Sequence, residues 1–364
     1  MLHLNLALHG FITACKADAL TLSVGGLFIL ASLAAMASIG IYGFPLDGSF
    51  SLLLTFAATA VFFGGSFLLI ALLRERPESP IGFTRKFLAH HASWERLMRH
   101  VPLILLVSLF LPAFSGIKGS ISLFATYSWD GFWIEADRMI HGMDAWRLIH
   151  PIVGYPFVTF ILSALYIVWL PMLLIALVYF SFLTNRPILR AQFLLTYFSC
   201  WAILGSLCAI AFASVGPCFV HPLVGRQDFL PLMEYLDYAD SQWPIWVIHI
   251  QDRLAAQLAE GSRELGAGIT AMPSMHVSMA FLYWLAARKV NRWLGWVMFA
   301  YMLSILVASV HLAYHYAVDG YLSIILTLLI WKICGHLAAR AHPLQKEVEP
   351  PVSATSNEFQ LAIN

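Results

Sequence analysis

The sequence predicts an all-α integral membrane protein with about eight transmembrane helices. Three observations carry the prediction. The 364 residues are 60% hydrophobic and only 11% charged, where a soluble domain carries roughly 25% charged residues. Apolar runs of about 20 residues, the length of a helix that crosses a bilayer, recur along the chain. The cations gather in alternate connections between those runs, the pattern of loops that stay on one side of a membrane.

In order, the expected spans are 20–41, 50–73, 101–117, 155–183, 190–213, 274–287, 294–312 and 317–338. The first 19 residues lack a basic start and a small-residue cleavage site ahead of a short apolar core. The first span therefore reads as a retained anchor and not a signal peptide. The third and sixth spans are short, and each borders a Pro or a Gly. Beyond His342 the tail PLQKEVEPPVSATSNEFQLAIN is polar and Pro-bearing, a composition expected to be disordered. The chain thus divides into two N-terminal spans with a basic loop (1–100), a six-helix core (101–340) and a tail (341–364). Of the five cysteines, Cys15, Cys200, Cys208, Cys218 and Cys334, none forms a CxxC pair. Neither a disulfide framework nor a thiolate metal site is expected.

Arg74, Arg76, Arg85, Lys86, Arg96 and Arg99 fall in segment 74–100. Arg186 and Arg190 mark the next such turn, and Arg288, Lys289 and Arg292 the one after. With Lys16, Lys332, Arg340 and Lys346 they define a cytoplasmic side that also holds both termini. The other connections, 42–49, 118–154, 214–273 and 311–319, hold most of the acids and face the periplasm or a lumen. No Asn-x-Ser/Thr sequon occurs in them, which tilts the reading to a bacterial inner membrane. Two outer segments are Trp-rich: LFATYSWDGFWIEADRMIHGMDAWRLIH (123–150) and the amphipathic WPIWVIHIQDRLAAQL (243–258). They read either as interfacial belts or as a vestibule around a headgroup.

That topology puts His276, His311, His315 and Asp319 on one outer face. In HLAYHYAVDGY, His315 and Asp319 are four residues apart and would share a helical face. A carboxylate beside an imidazole fixes its tautomer and stabilises its cation, as a nucleophilic or basic His requires. An unpaired acid there would be costly. Ser274, after Pro273, is a plausible N-cap for span six. Helix N-termini offer free N–H groups to an anion, and GAGITAMPS (266–274) supplies turn-forming residues. The HxxxH spacing of His311 and His315 is also that of a metal pair, which Asp319 and His276 would complete. No further outer motif matches that spacing, so no metal and no cofactor is assigned.

PSMH at 273–276 resembles the PSxH signature of the type 2 phosphatidic acid phosphatase superfamily, and HYAVD at 315–319 resembles the HxxxD half of its last signature. The likeness is closer to the branch of inositol phosphorylceramide synthases, whose members carry a His-Tyr-x-Val/Ile-Asp run, and more distant to sphingomyelin synthases. It implies a six-helix core and phosphoryl transfer through a phosphohistidine: His315 attacks phosphorus, Asp319 holds and polarises it, and His276 is acid and then base, without a metal. The superfamily's first signature is absent. Leu69 and Tyr179 stand where a Lys should precede Arg76-Pro77 and Arg186-Pro187, and Ser309-Val310 replaces a Ser-Arg. Ser274 with Lys118, Arg226, His221 or His311 would have to bind the phosphate instead. Three readings stand: a lipid phosphotransferase from a phospholipid or lipid-phosphate donor to a lipid alcohol such as ceramide or diacylglycerol; a phosphatase acting with water on a lipid phosphate or polyprenyl pyrophosphate; and a transporter with a His/Asp relay, against which the scarcity of intramembrane acids counts. No reading involves nucleic acid.

Overall fold

The computed structural model describes residues 2–43, 46–91, 93–261 and 268–342, and these are helical with no strand among them. The polar tail expected to be disordered lies almost wholly outside the described residues.

Helices α1 (Leu2–Ala17) and α2 (Ala19–Ser38) are followed by α3 (Leu46–Glu75), α4 (Pro80–His91), α5 (Trp94–Met98) and α6 (Val101–Gly119). Next come α7 (Asp130–His141) and α8 (Ala145–Val153), then the long α9 (Pro156–Phe182) and α10 (Pro187–Ala202). Two further outer helices, α11 (Leu230–Gln242) and α12 (Trp246–Ala259), precede α13 (Met275–Val290), α14 (Arg292–His311) and α15 (Ala317–Ala341). Among the described residues seven helical stretches are long and apolar enough to cross a membrane: α2, most of α3, α5 with α6, α9, α10 with its continuation to Ala211, α14 and α15. The protein is an integral membrane protein of all-α class.

The one expected span missing from these seven, the sixth, is α13, with 16 residues. At 1.5 Å per residue it is about 24 Å long, short of a bilayer core of roughly 30 Å. It lies inside the bundle against α10, α14 and α15, and Val277–Phe281 and Leu282, Tyr283 and Leu285–Ala287 are buried. A helix so enclosed has no lipid thickness to match.

Local signals fit this frame. Pro156 and Pro187 open α9 and α10 at positions where the N–H has no helical partner. Asn291 ends α13 and caps α14, its side-chain oxygen accepting the N–H groups of Trp293 and Leu294 at 2.8 and 3.1 Å. α10 continues through a π-helical turn, Ile203–Cys208. There Gly205 lies against Phe114 and Met275, and a Cβ would stand 2.8 Å from the Phe114 ring. This close approach brings α10 up to the start of α13.

The connections collect at two ends. At one end Asp18 pairs with Arg190, the Arg186 guanidinium donates to the Lys289 carbonyl, and His100 stacks on Phe182. At the other end α7, α8, α11 and α12 cover three loops, and the candidate site lies beneath them.

Candidate active site

Three loops, 213–218, 269–274 and 311–317, are tied into one platform. The Ala271 N–H donates to the Ser214 carbonyl at 3.0 Å and the Cys218 N–H to the Ala313 carbonyl at 2.8 Å. α12 covers them, Gln251 donating to the Leu312 carbonyl and the Tyr314 hydroxyl to the Val247 carbonyl. Gly216 sits at φ +85°, and a Cβ there would lie 2.7 Å from the Tyr314 carbonyl oxygen. Only glycine fits that crossing.

His315 is buried on this platform. Its Nδ1 lies 2.7 Å from the Ala271 carbonyl oxygen. A carbonyl only accepts, so Nδ1 carries the proton and Nε2 keeps the lone pair. Asp319 Oδ2 is 3.4 Å from the same Nδ1. The pair does not share a helical face, as the four-residue spacing suggested. α15 begins only at Ala317, with Tyr316 extended ahead of it. Asp319, at the third position of that helix, reaches back to accept the Tyr316 N–H at 3.0 Å, and this capping turn brings its carboxylate under His315. Its other oxygen, Oδ1, is buried and has no partner among the described residues.

Ser274 caps α13, its Oγ accepting the Val277 N–H at 3.3 Å. His276 is therefore in the first helical turn. Its ring centre is 5.8 Å from that of His315, 4.2 Å from the stacked ring of Tyr166 and 4.1 Å from Trp169. Both aromatic residues come from α9, three positions apart and hence on one face.

Sequence reasoning missed the supports of this site. α7 buries Asp130, Trp133, Ile134 and Asp137 and exposes Phe132, Met139 and Ile140. Asp130 accepts from the N–H groups of Val215 and Gly216 and from the Tyr316 hydroxyl at 2.8 Å. Asp137 accepts the first two N–H groups of α15, those of Ala317 and Val318, at 3.0 and 2.9 Å. Burial raises the Asp137 carboxyl above its ordinary range, and those two N–H groups oppose the shift. The signal was present: two acids seven residues apart flank Trp133 and Ile134 on a single helical face.

The candidate phosphate ligands divide. Lys118, half-buried at the end of α6, is close enough for its charge to act on His276. Arg226 instead holds Asp228 at 2.8 Å, and Asp228 also takes Arg138 at 2.7 Å. His221 is exposed. His311 is fully buried, its Nε2 2.9 Å from the Thr159 hydroxyl, which also meets the Tyr235 hydroxyl at 2.7 Å. The structure thus gathers His315, Asp319, His276, Ser274 and Lys118, and commits Arg226 and His311 to other networks. With His311 held by Thr159, the HxxxH spacing does not form a metal pair with His315.

No curated protein and no solved structure matches the chain. A family model described as PAP2 superfamily matches residues 133–333, a stretch that includes His276, His315, Asp319, both stacked aromatics and Asp137. That superfamily comprises phosphatases and phosphotransferases, and it suggests a lipid phosphatase or phosphotransferase kind of function. With more than half of its length matched, the protein belongs to the PAP2 superfamily.

Proposed function

We propose that the protein is a membrane-embedded lipid phosphotransferase of the inositol phosphorylceramide synthase-like kind, working through a phosphohistidine on His315. One observation carries the reading: the Ala271 carbonyl occupies Nδ1 of His315, which leaves the Nε2 lone pair as the nucleophile beside His276. Nε2 attacks the phosphorus of a phospholipid donor, the bond to the leaving oxygen breaks, and His276, as imidazolium, gives that oxygen its proton. The phosphoimidazole is cationic, and the buried Asp319 carboxylate 3.4 Å from Nδ1 offsets its charge. In the second half the hydroxyl of a lipid alcohol attacks phosphorus, His276 takes its proton, and the N–P bond breaks.

Negative charge on the phosphoryl oxygens meets the Lys118 ammonium and the free N–H groups at the start of α13. The HYAVD run and the missing first signature support the transferase over the hydrolase. The site end carries the acidic set of connections, which supports an outer, periplasmic or lumenal position with both termini cytoplasmic. The six-helix core of 101–340 carries the chemistry, and 1–100 is an accessory pair of spans.

Purified protein is incubated with a phospholipid radiolabelled in its phospho-headgroup, with and without ceramide or diacylglycerol, alongside His315→Ala and His276→Ala. Label passing to the added alcohol in wild type and in neither variant supports the transferase. Label released only to water gives the phosphatase. Undiminished transfer by His315→Ala would end the phosphohistidine reading.

A further inference from the structure

His276 has no hydrogen-bonding partner for its ring among the described residues, yet the acid–base reading needs it as a cation within reach of the Lys118 charge. Lys118 approaches it from α6, and His315 and Tyr314 from the 311–317 loop, where a phosphorylated His315 adds a second positive ring. The carboxylate of Asp319 lies beyond His315, on the far nitrogen of that ring. On the α10 side Gly205 faces neighbouring Met275 without charge. From α9 come Tyr166 and Trp169, both buried, with their rings inclined only 21° and 35° to the His276 ring at centre distances of 4.2 and 4.1 Å. Such near-parallel contact presents the negative faces of two π systems to the imidazole.

We propose that Tyr166 and Trp169 form a π platform that holds His276 in place and favours its imidazolium form, making them positioning residues for the proton donor. The inference rests on the acid–base reading of His276. A π face attracts the protonated ring and is nearly indifferent to the neutral one, and the effect is strongest where water is excluded. It opposes the cost of burying that charge and, after it, the repulsion from His315 and Lys118. Trp169 contributes more than Tyr166, since indole is the better cation acceptor. The contacts also explain why two aromatic residues with polar atoms stand in mid-helix: Tyr166 Oη and Trp169 Nε1 are buried without partners among the described residues, so their faces, not their polar ends, make the useful contact.

The test is a titration of histidine-labelled full-length protein in micelles by NMR, with the His276 signal identified by its loss in His276→Gln. Wild type should show a strong upfield ring-current shift of the His276 ring protons. Trp169→Leu should remove much of that shift and lower the His276 titration midpoint by roughly half to one and a half pH units. Trp169→Phe should lower it less, and Tyr166→Phe should leave it near wild type. The acid–base limb of the transfer rate should move with the NMR midpoint. A midpoint unmoved or raised in both Trp169 variants overturns the proposal, as does a wild-type spectrum without the ring-current shift. Undiminished turnover by His276→Ala would instead remove the acid–base reading, an outcome separate from the titration.

Discussion

Asp137→Ala offers the sharpest test of how this site is held together. The substitution strips the acceptors from two N–H groups, those of Ala317 and Val318, that Asp137 binds at 3.0 and 2.9 Å at the buried start of α15. Each orphaned N–H costs about 1–3 kcal/mol. Against this stands relief from burying a carboxylate, which the raised Asp137 carboxyl registers. The net expectation is a loss of about 2–4 kcal/mol, read by reversible unfolding in micelles. Asp137→Asn keeps one acceptor oxygen and should lose about half as much. The same turn carries Asp319, whose carboxylate is placed under His315 by the capping of Tyr316. Turnover in Asp137→Ala should therefore fall at least tenfold, with substrate affinity little changed, because the loss is of geometry at phosphorus. An alanine variant within 0.5 kcal/mol of wild type and fully active would refute the argument, since a helix end with two free buried N–H groups cannot be neutral.

Other expectations follow from single contacts. Gly216→Ala drives a Cβ to within 2.7 Å of the Tyr314 carbonyl oxygen at a left-handed φ, and should cost about 2 kcal/mol or more with a parallel loss of transfer activity. Lys118→Met should lower kcat/KM for the phospholipid by roughly 10- to 100-fold, the worth of one charge-assisted contact, measured in the labelled-lipid assay. Asn291→Ala, at the opposite end, should lower stability by about 1 kcal/mol and leave turnover unchanged. Asp228 is held down to about 2 by its hydrogen bond to Arg226. A depressed carboxyl gives stability that is present above its unfolded value and lost as pH falls through the folded one. The stability of wild type should thus decline between about pH 4 and pH 2, by about 1–2 kcal/mol after allowance for partial exposure, and Asp228→Asn should flatten that decline.

How much of this was legible without coordinates differs from element to element. The long spans were, because a bilayer imposes length and composition on each of them locally. α13 was legible as a helix but not as an enclosed one, since its neighbours are fixed by packing across the chain. His315 and Asp319 were paired correctly for an incorrect reason: four residues suggested one helical turn, while the chain bends at Tyr316 and the acid arrives by capping. Arg226 looked free because its partners, Asp228 beside it and Arg138 sharing that acid, belong to a network that spans 90 residues. Tyr166 and Trp169 carried no motif at all. Inside a 27-residue apolar helix, two aromatics are indistinguishable from ordinary core until His276 is laid against them.

The ion pair between the buried Asp18 and the half-buried Arg190 has a consequence for biogenesis. The two residues are 172 positions apart, so at about 5–20 residues per second Asp18 waits roughly 10–35 seconds before its partner emerges from the ribosome. Until then an acid at the start of α2 must stay in the headgroup layer, hydrated. The first two helices therefore have to dock late, sideways, onto helices inserted after them, and a lesion at Arg190 should surface as a fault in membrane assembly before it surfaces in turnover.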